Sequence, residues 1–74
     1  DHDCSIGKAS HIAPGVTCGG NVKIGAHAQI GIGAIILPNT NIKDNSIVAA
    51  GSVVNADVNV GEKVGGTPAR LMVK

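Results

Sequence analysis

Residues 22–42 read VKIGAHAQIGIGAIILPNTNI, and within them Ile24, Ile30, Ile36 and Ile42 stand six apart. Followed outward, the spacing holds without a slip through Ile6, Ile12 and Cys18 on one side and Val48 and Val54 on the other. A second series lies four residues after each of these, at Ser10, Val16, Val22, Ala28, Ala34, Thr40, Ser46, Ser52 and Val58, all small or β-branched. Matching both series by accident has odds on the order of one in 10⁸ by template counting. A helix would need apolar residues three and four apart, and an ordinary strand alternates continuously. Here the aliphatic residue and the residue two before it point inward, and the residues that follow turn a corner. Three such faces close a triangular coil. The next coil stacks on it as parallel strands, so that Ile6, Ile24 and Ile42 form one interior ladder. The position after the aliphatic residue is small in the first five repeats (Gly7, Ala13, Gly19, Gly25, Gly31) and then relaxes to Leu37, Lys43, Ala49 and Asn55.

Composition agrees with an all-β chain. The 74 residues include nine Ile, nine Val, nine Ala and eleven Gly, against two Leu and no aromatic residue. Helical bundles are built on Leu and small globular cores lean on aromatics, whereas Ile, Val and Thr suit a pleated surface. A net charge of +1 and the lack of aromatic platforms argue against nucleic acid as a partner. The longest nearly apolar stretch, Ile30 to Pro38, is too short to span a bilayer, so no membrane partner is expected. Nothing resembles a signal peptide, and Cys4 and Cys18 read as buried thiols in a reducing compartment, so the expected location is cytoplasmic. Interior ladders of this size are small against the entropy of ordering the chain, which favours a homo-oligomer. The period breaks after Val58. Residues 1–59 are read as coils and 60–74 as a terminating tail. Because the sequence opens on Asp1, an amino-terminal region is expected upstream.

The same register places the polar candidates. His2 and Asp3 share a corner with Gly20 and Asn21 of the next coil, and His27 occupies a second corner. Ile32 with Gly33, and Ala50 with Gly51, stack at a third, while His11 faces outward. Two readings stand for Gly19 and Gly20: a corner with no room for a side chain, or a place where a ligand approaches the main chain. Ile32 is either a tolerated exposed apolar residue or a ligand contact.

The hexapeptide pattern, [Ile/Val/Leu]-Gly-x-x-[Ser/Thr/Ala/Val]-x over residues 4–59, resembles the left-handed parallel β-helix family, here with about four coils. The Gly-Thr-Pro-Ala-Arg segment at 66–70 resembles the ending of hexapeptide acyltransferases. His2-Asp3-Cys4, His11, the stretch Gly19 to Gly25 and Ile36-Leu37-Pro38-Asn39 together resemble the bacterial sugar acetyltransferases. That group includes sialic acid O-acetyltransferases and the N-acetyltransferases of nucleotide-linked 4-amino sugars such as UDP-bacillosamine precursors. The resemblance implies a homotrimer that uses acetyl-CoA, without a metal, to acetylate an amino or hydroxyl group of a sugar or nucleotide sugar. It implies His2 as general base with Asp3 orienting it, and His11 in contact with the acetyl-CoA region. It also implies Gly20 offering its N–H to the thioester carbonyl, Ile32 and Ala50 lining the cofactor, and an upstream sugar-nucleotide domain.

Two other readings stand beside this one. A metal-dependent hydratase of the γ-carbonic anhydrase type needs three converging His, but His2, His11 and His27 fall on a corner, an outward face and a different corner. A structural or oligomerising β-helix portion of a larger enzyme is the stronger rival, and the His2-Asp3-Cys4 opening argues against it.

Overall fold

A computed structural model describes residues 4–72, and the chain winds as a three-sided prism with no helix among them. The first face holds β1 (Ser5–Ile6), β4 (Lys23–Ile24) and β7 (Asn41–Ile42). The second holds β2 (His11–Ile12), β5 (Gln29–Ile30) and β8 (Ile47–Val48), and the third β3 (Thr17–Cys18), β6 (Ile35–Ile36) and β9 (Val53–Val54). Every pair among these nine strands is parallel and offset by eighteen residues, as in Ile6↔Ile24↔Ile42.

The repeat produces this shape through three positions. The aliphatic residue and the one two before it turn inward, and Val22, Ile24, Ala28, Ile30, Ala34 and Ile36 are all buried. The next position is glycine at Gly7, Gly19, Gly25 and Gly31, where successive turns are tightly stacked. A Cβ at Gly7 would lie 2.6 Å from the Gly25 carbonyl carbon, and one at Gly31 would lie 2.5 Å from the Ala50 nitrogen. The third residue after the aliphatic one takes a left-handed conformation at every corner from Ala9 to Gly51, with φ between 58° and 77°. Gly15, Gly33 and Gly51 adopt it freely, and Asn21, Asn39, Asn45 and His27 belong to the side chains that tolerate it best. Ala9 (φ 60°) has no such tolerance.

Three complete turns form, followed by a shortened return, where the sequence suggested about four coils. β10 (Lys63–Gly66) pairs in parallel with β8 at an offset of sixteen residues, and β11 (Ala69–Leu71) folds back antiparallel on β10. Val58 is buried, as its place in the second inward series expects, and bridges to Ile42, again at an offset of sixteen residues. Two inward serines absorb the mismatch. Ser46 donates to the Lys43 and Asn59 carbonyls (2.6 and 2.9 Å), and Ser52 Oγ accepts from the Gly66 N–H at 3.2 Å. Among the described residues no buried side-chain polar atom lacks a partner. Among the first described residues Ile6 is 52% exposed, and Cys4, Ile12, Val16 and Cys18 are partly covered.

Two substitutions test this account. Ala9→Gly removes a methyl from a left-handed corner and is expected to raise stability by about 1 kcal/mol in urea unfolding. A loss of stability would mean that corner is not left-handed. Ile24→Asp puts an unpaired carboxylate into a dry ladder at a cost of several kcal/mol. Circular dichroism is expected to show loss of the β-structure, and a native-like spectrum would refute the register.

Candidate functional site

At one corner the turn beneath caps the N–H of the corner's first residue. At Ala26 that N–H donates to Asp44 Oδ1 at 2.9 Å, a carboxylate supplied by the turn beneath. Gly20 is the equivalent residue one repeat earlier, and the residue beneath it is Pro38, whose side chain has no acceptor. The turn beneath thus leaves the Gly20 N–H to other acceptors.

Gly20 also stands apart from the other ten glycines. Each of those is demanded either by a left-handed φ or by the near approach of a neighbour, down to Gly65 with the Ala49 Cβ at 3.0 Å. At Gly20 an added Cβ would meet nothing within 4 Å, and the backbone is not left-handed. The reading of a corner without room therefore holds for Gly19, where a Cβ would lie 2.6 Å from Pro38 Cδ, and fails for Gly20. The fold does not require a glycine there. What the missing side chain provides is access to the main chain from outside.

The other candidate residues lie elsewhere on the prism. Ile32 and Ala50 stack on the edge between the second and third faces, joined by the Gly51 N–H donating to the Ile32 carbonyl at 2.8 Å, and Ile32 is 63% exposed. His11 is exposed on the second face, paired beside Gln29. Gly20 occupies the edge between the third and first faces, a six-residue side away, which extended chain spans in at most ~20 Å. Within one copy, then, Ile32 and Ala50 come together, with His11 on the face that runs into their edge, and Gly20 stays apart. His2 and Asp3 lie outside the described residues.

The third face separates these two edges, and it carries no charge. Residues 13–22, 31–42 and 49–56, which form this face and its corners, contain no Asp, Glu, Lys or Arg. Its outward residues are Thr17, Ile35 and Val53 with Leu37 alongside, and Ile35 and Leu37 are 40% and 38% exposed. Cys4 and Cys18, expected as buried thiols, are half-buried. Burial, together with a hydrogen bond to Cys4, pushes the Cys18 thiol up to about 11, so it remains a neutral thiol at neutral pH.

One feature escaped the sequence reading. A groove of about 430 Å³ opens on the first face, lined by Lys23, Ile24, Gly25, Asn41, Ile42, Lys43, Asp44 and Val60. Its signal was present in the outward column, where the register sets Lys23 beside Asn41.

The bacterial transferase hexapeptide family profile (six repeats) matches residues 21–56. The chain superposes on PerB from Caulobacter crescentus, solved in complex with CoA and GDP-perosamine, with a TM-score of 0.96 and 37% identity, covering 99% of this chain and 35% of PerB. It superposes on the acetyltransferase domain of PglB from Neisseria gonorrhoeae, in complex with acetyl coenzyme A, with a TM-score of 0.95 and 36% identity, covering 97% of this chain and 35% of that one. The 2,3,4,5-tetrahydropyridine-2,6-dicarboxylate N-acetyltransferase of Staphylococcus aureus (strain bovine RF122 / ET3-1) is 34% identical over 92% of this chain and 32% of its own length. The chain thus spans about a third of the length of each of these proteins. Superposition at this level preserves hand, and the prism is the left-handed parallel β-helix expected of the repeat. The six-residue period, the stacked parallel turns and these likenesses agree: the chain belongs to the hexapeptide-repeat transferase family.

Proposed function

We propose that this chain is the β-helical part of an acetyl-CoA-dependent acetyltransferase, acting as a homotrimer on an amino or hydroxyl group of a sugar or nucleotide sugar. The observation that carries the reading is Gly20, a glycine the fold does not need, at an edge where its N–H is left to an outside acceptor. The likeness to PerB, solved with CoA and GDP-perosamine, supports the choice of both substrates.

The positions of the candidate residues support the trimer. Gly20 lies on one border of the uncharged third face, and Ile32 and Ala50 lie on the other. If three copies turn this face to a common axis, neighbours meet edge to edge, and the Gly20 edge of one stands beside the Ile32 and Ala50 edge of the next. Faces about 18 Å wide put the axis about 5 Å from each face. An isoleucine side chain has about that reach, so Ile35 and Val53 would fill the centre. The outer walls of each cleft are then the first face of one copy and the second face, carrying His11, of its neighbour.

The chemistry suits such a cleft. An amino or hydroxyl group becomes an effective nucleophile as a base removes its proton, and an imidazole with an ordinary pKa near ~6.5 can do so at neutral pH. His2 takes this role, and Asp3 holds its tautomer. As the thioester carbonyl is attacked, charge gathers on its oxygen, and the fixed N–H of Gly20 stabilises it without reorganising. Collapse of the adduct then breaks the C–S bond, and the departing CoA thiolate takes up the proton held by His2. His11 contacts the donor from across the cleft, and Ile32 and Ala50 give it an apolar bed.

In the full-length protein, His2→Ala is expected to lower kcat by ~10²–10⁴ with little change in acetyl-CoA affinity, whereas His11→Ala raises the KM for acetyl-CoA more than it lowers kcat. Near-normal turnover by His2→Ala at saturating substrates would remove His2 as the base. Gly20→Val should abolish most of the activity while leaving the urea midpoint within error, since its side chain meets open space. An active Gly20→Val enzyme would contradict the assigned role. Sedimentation equilibrium should return a trimer, and a monomer at micromolar concentration would overturn the assembly.

A further inference from the structure

We infer that Asn21 and Asn39 are positioning residues: the bond between their side-chain amides fixes the Gly20 corner while leaving the Gly20 N–H free to donate. This rests on the role of Gly20 proposed above and extends it to two residues that act through it.

An N–H that stabilises developing charge has to be fixed before the reaction begins. Glycine has the freest backbone of any residue, and at Gly20 nothing lies within 4 Å of where a Cβ would be. The restraint therefore comes from its neighbours. On one side Gly19 is wedged against Pro38 and donates its N–H to the Ile36 carbonyl at 2.8 Å. On the other side Asn21 Nδ2 donates across one turn to Asn39 Oδ1 at 3.0 Å. Gly20 itself is tied by its carbonyl, which accepts from the Asn39 N–H at 2.9 Å. All three fastenings lead to residues 36–39 of the turn beneath, and none of them uses the Gly20 N–H.

The other edges show that the amide pair is not a general need of a corner. The backbone bond recurs at each, as in Asn45 N–H to the Ala26 carbonyl (2.9 Å) and Gly51 N–H to the Ile32 carbonyl (2.8 Å), so it does not distinguish Gly20. The side-chain bond does. The edge of Ile32 and Ala50 stacks Gly15, Gly33 and Gly51, which have no side chain to pair. The remaining edge stacks Ala9, His27 and Asn45 in the same left-handed conformation, and there the Asp44 side chain fastens the corner by taking the Ala26 N–H, which consumes the donor. At the Gly20 edge the fastening is moved one residue along, from the N–H to the amide pair. Left-handed backbone does not account for the pair, because asparagine tolerates that conformation without a partner.

Two measurements on the full-length protein test this, using Asn21→Gly, Asn39→Gly, their double variant, and Asn45→Gly as a control at a left-handed corner outside the pair. Glycine accepts the left-handed conformation, so each variant is expected to fold, and urea midpoints check that it does. With acetyl-CoA as donor and a UDP-linked 4-amino sugar as acceptor, kcat is expected to fall roughly tenfold in each single variant, part of the ~10²–10³ that loss of an oxyanion donor costs, with the KM for acetyl-CoA unchanged. The double variant should be no slower than either single one, because the same bond is lost in all three. In protein carrying isotope-labelled glycine, the order parameter of the Gly20 amide should fall from about 0.85 to below ~0.6 in these three variants. Asn45→Gly should match the native chain in both measurements. Native turnover and an unchanged Gly20 order parameter in the pair variants would refute the positioning role. So would a double variant in which the two losses multiply, or an Asn45→Gly enzyme as slow as the others. If Gly20→Val stays active, the role of Gly20 falls and the positioning role with it, whatever the order parameter shows of the corner. Should the native chain not use this acceptor, the order parameter alone decides whether the amide pair fixes Gly20.

Discussion

The structure depends on the close stacking of each turn on the one eighteen residues away. Hydrogen bonds such as Gly7 N–H to the Ile24 carbonyl (2.7 Å) and Gly31 N–H to the Val48 carbonyl (2.8 Å) hold successive turns at ladder distance over the whole prism. That distance leaves no room for a side chain after the inward residue at Gly7, Gly19, Gly25 and Gly31, and the corners from Ala9 to Gly51 each hold a left-handed residue. It leaves room inside only for aliphatic and small groups. The hexapeptide is the sequence form of these demands. It also explains the lack of aromatics, for which so narrow an interior has no space.

Because stacking fixes so many positions, a residue that stacking does not explain becomes informative. Gly19 and Gly20 are adjacent and chemically identical, yet the first is wedged against Pro38 and the second faces open space. The same logic applies to charge. A solvated surface would be expected to carry lysines and acids on all three sides, but the third face carries none through three turns, while Lys23, Lys43 and Lys63 lie on the other two. Prism geometry then ties the two observations together, because the uncharged face is bounded by Gly20 on one border and by Ile32 and Ala50 on the other.

Most of the fold was legible in the sequence, since each hexapeptide repeats the same constraints and a single register satisfies all of them. The inward ladders, the corner positions of Gly20, His27, Ile32 and Ala50, and the outward setting of His11 follow from counting alone. The ending was less legible. The turn shortens by two residues near Val58, and the serines that absorb the change look like ordinary members of the inward series until the Asn59 carbonyl and Gly66 N–H are seen against them. The site was legible only by position. Counting could not show that Gly19 is sterically required and Gly20 is not, nor that Lys23, Asn41 and Lys43 share a cavity, because both facts depend on how far apart neighbouring turns sit.

The central claim is that a working cleft takes the Gly20 edge from one copy and the Ile32 and Ala50 edge from the next. Subunit mixing measures this directly. Gly20→Val and Ala50→Trp proteins, each inactive alone, are unfolded together and refolded as an equal mixture, and acetyl transfer is assayed after mixed trimers are verified by mass spectrometry. Random assembly places two unaltered edges together in roughly a quarter of the clefts. The account predicts recovery of about that fraction of native activity. Verified mixed trimers with no activity beyond that of the separate variants would show that both edges act within one copy, contrary to the account.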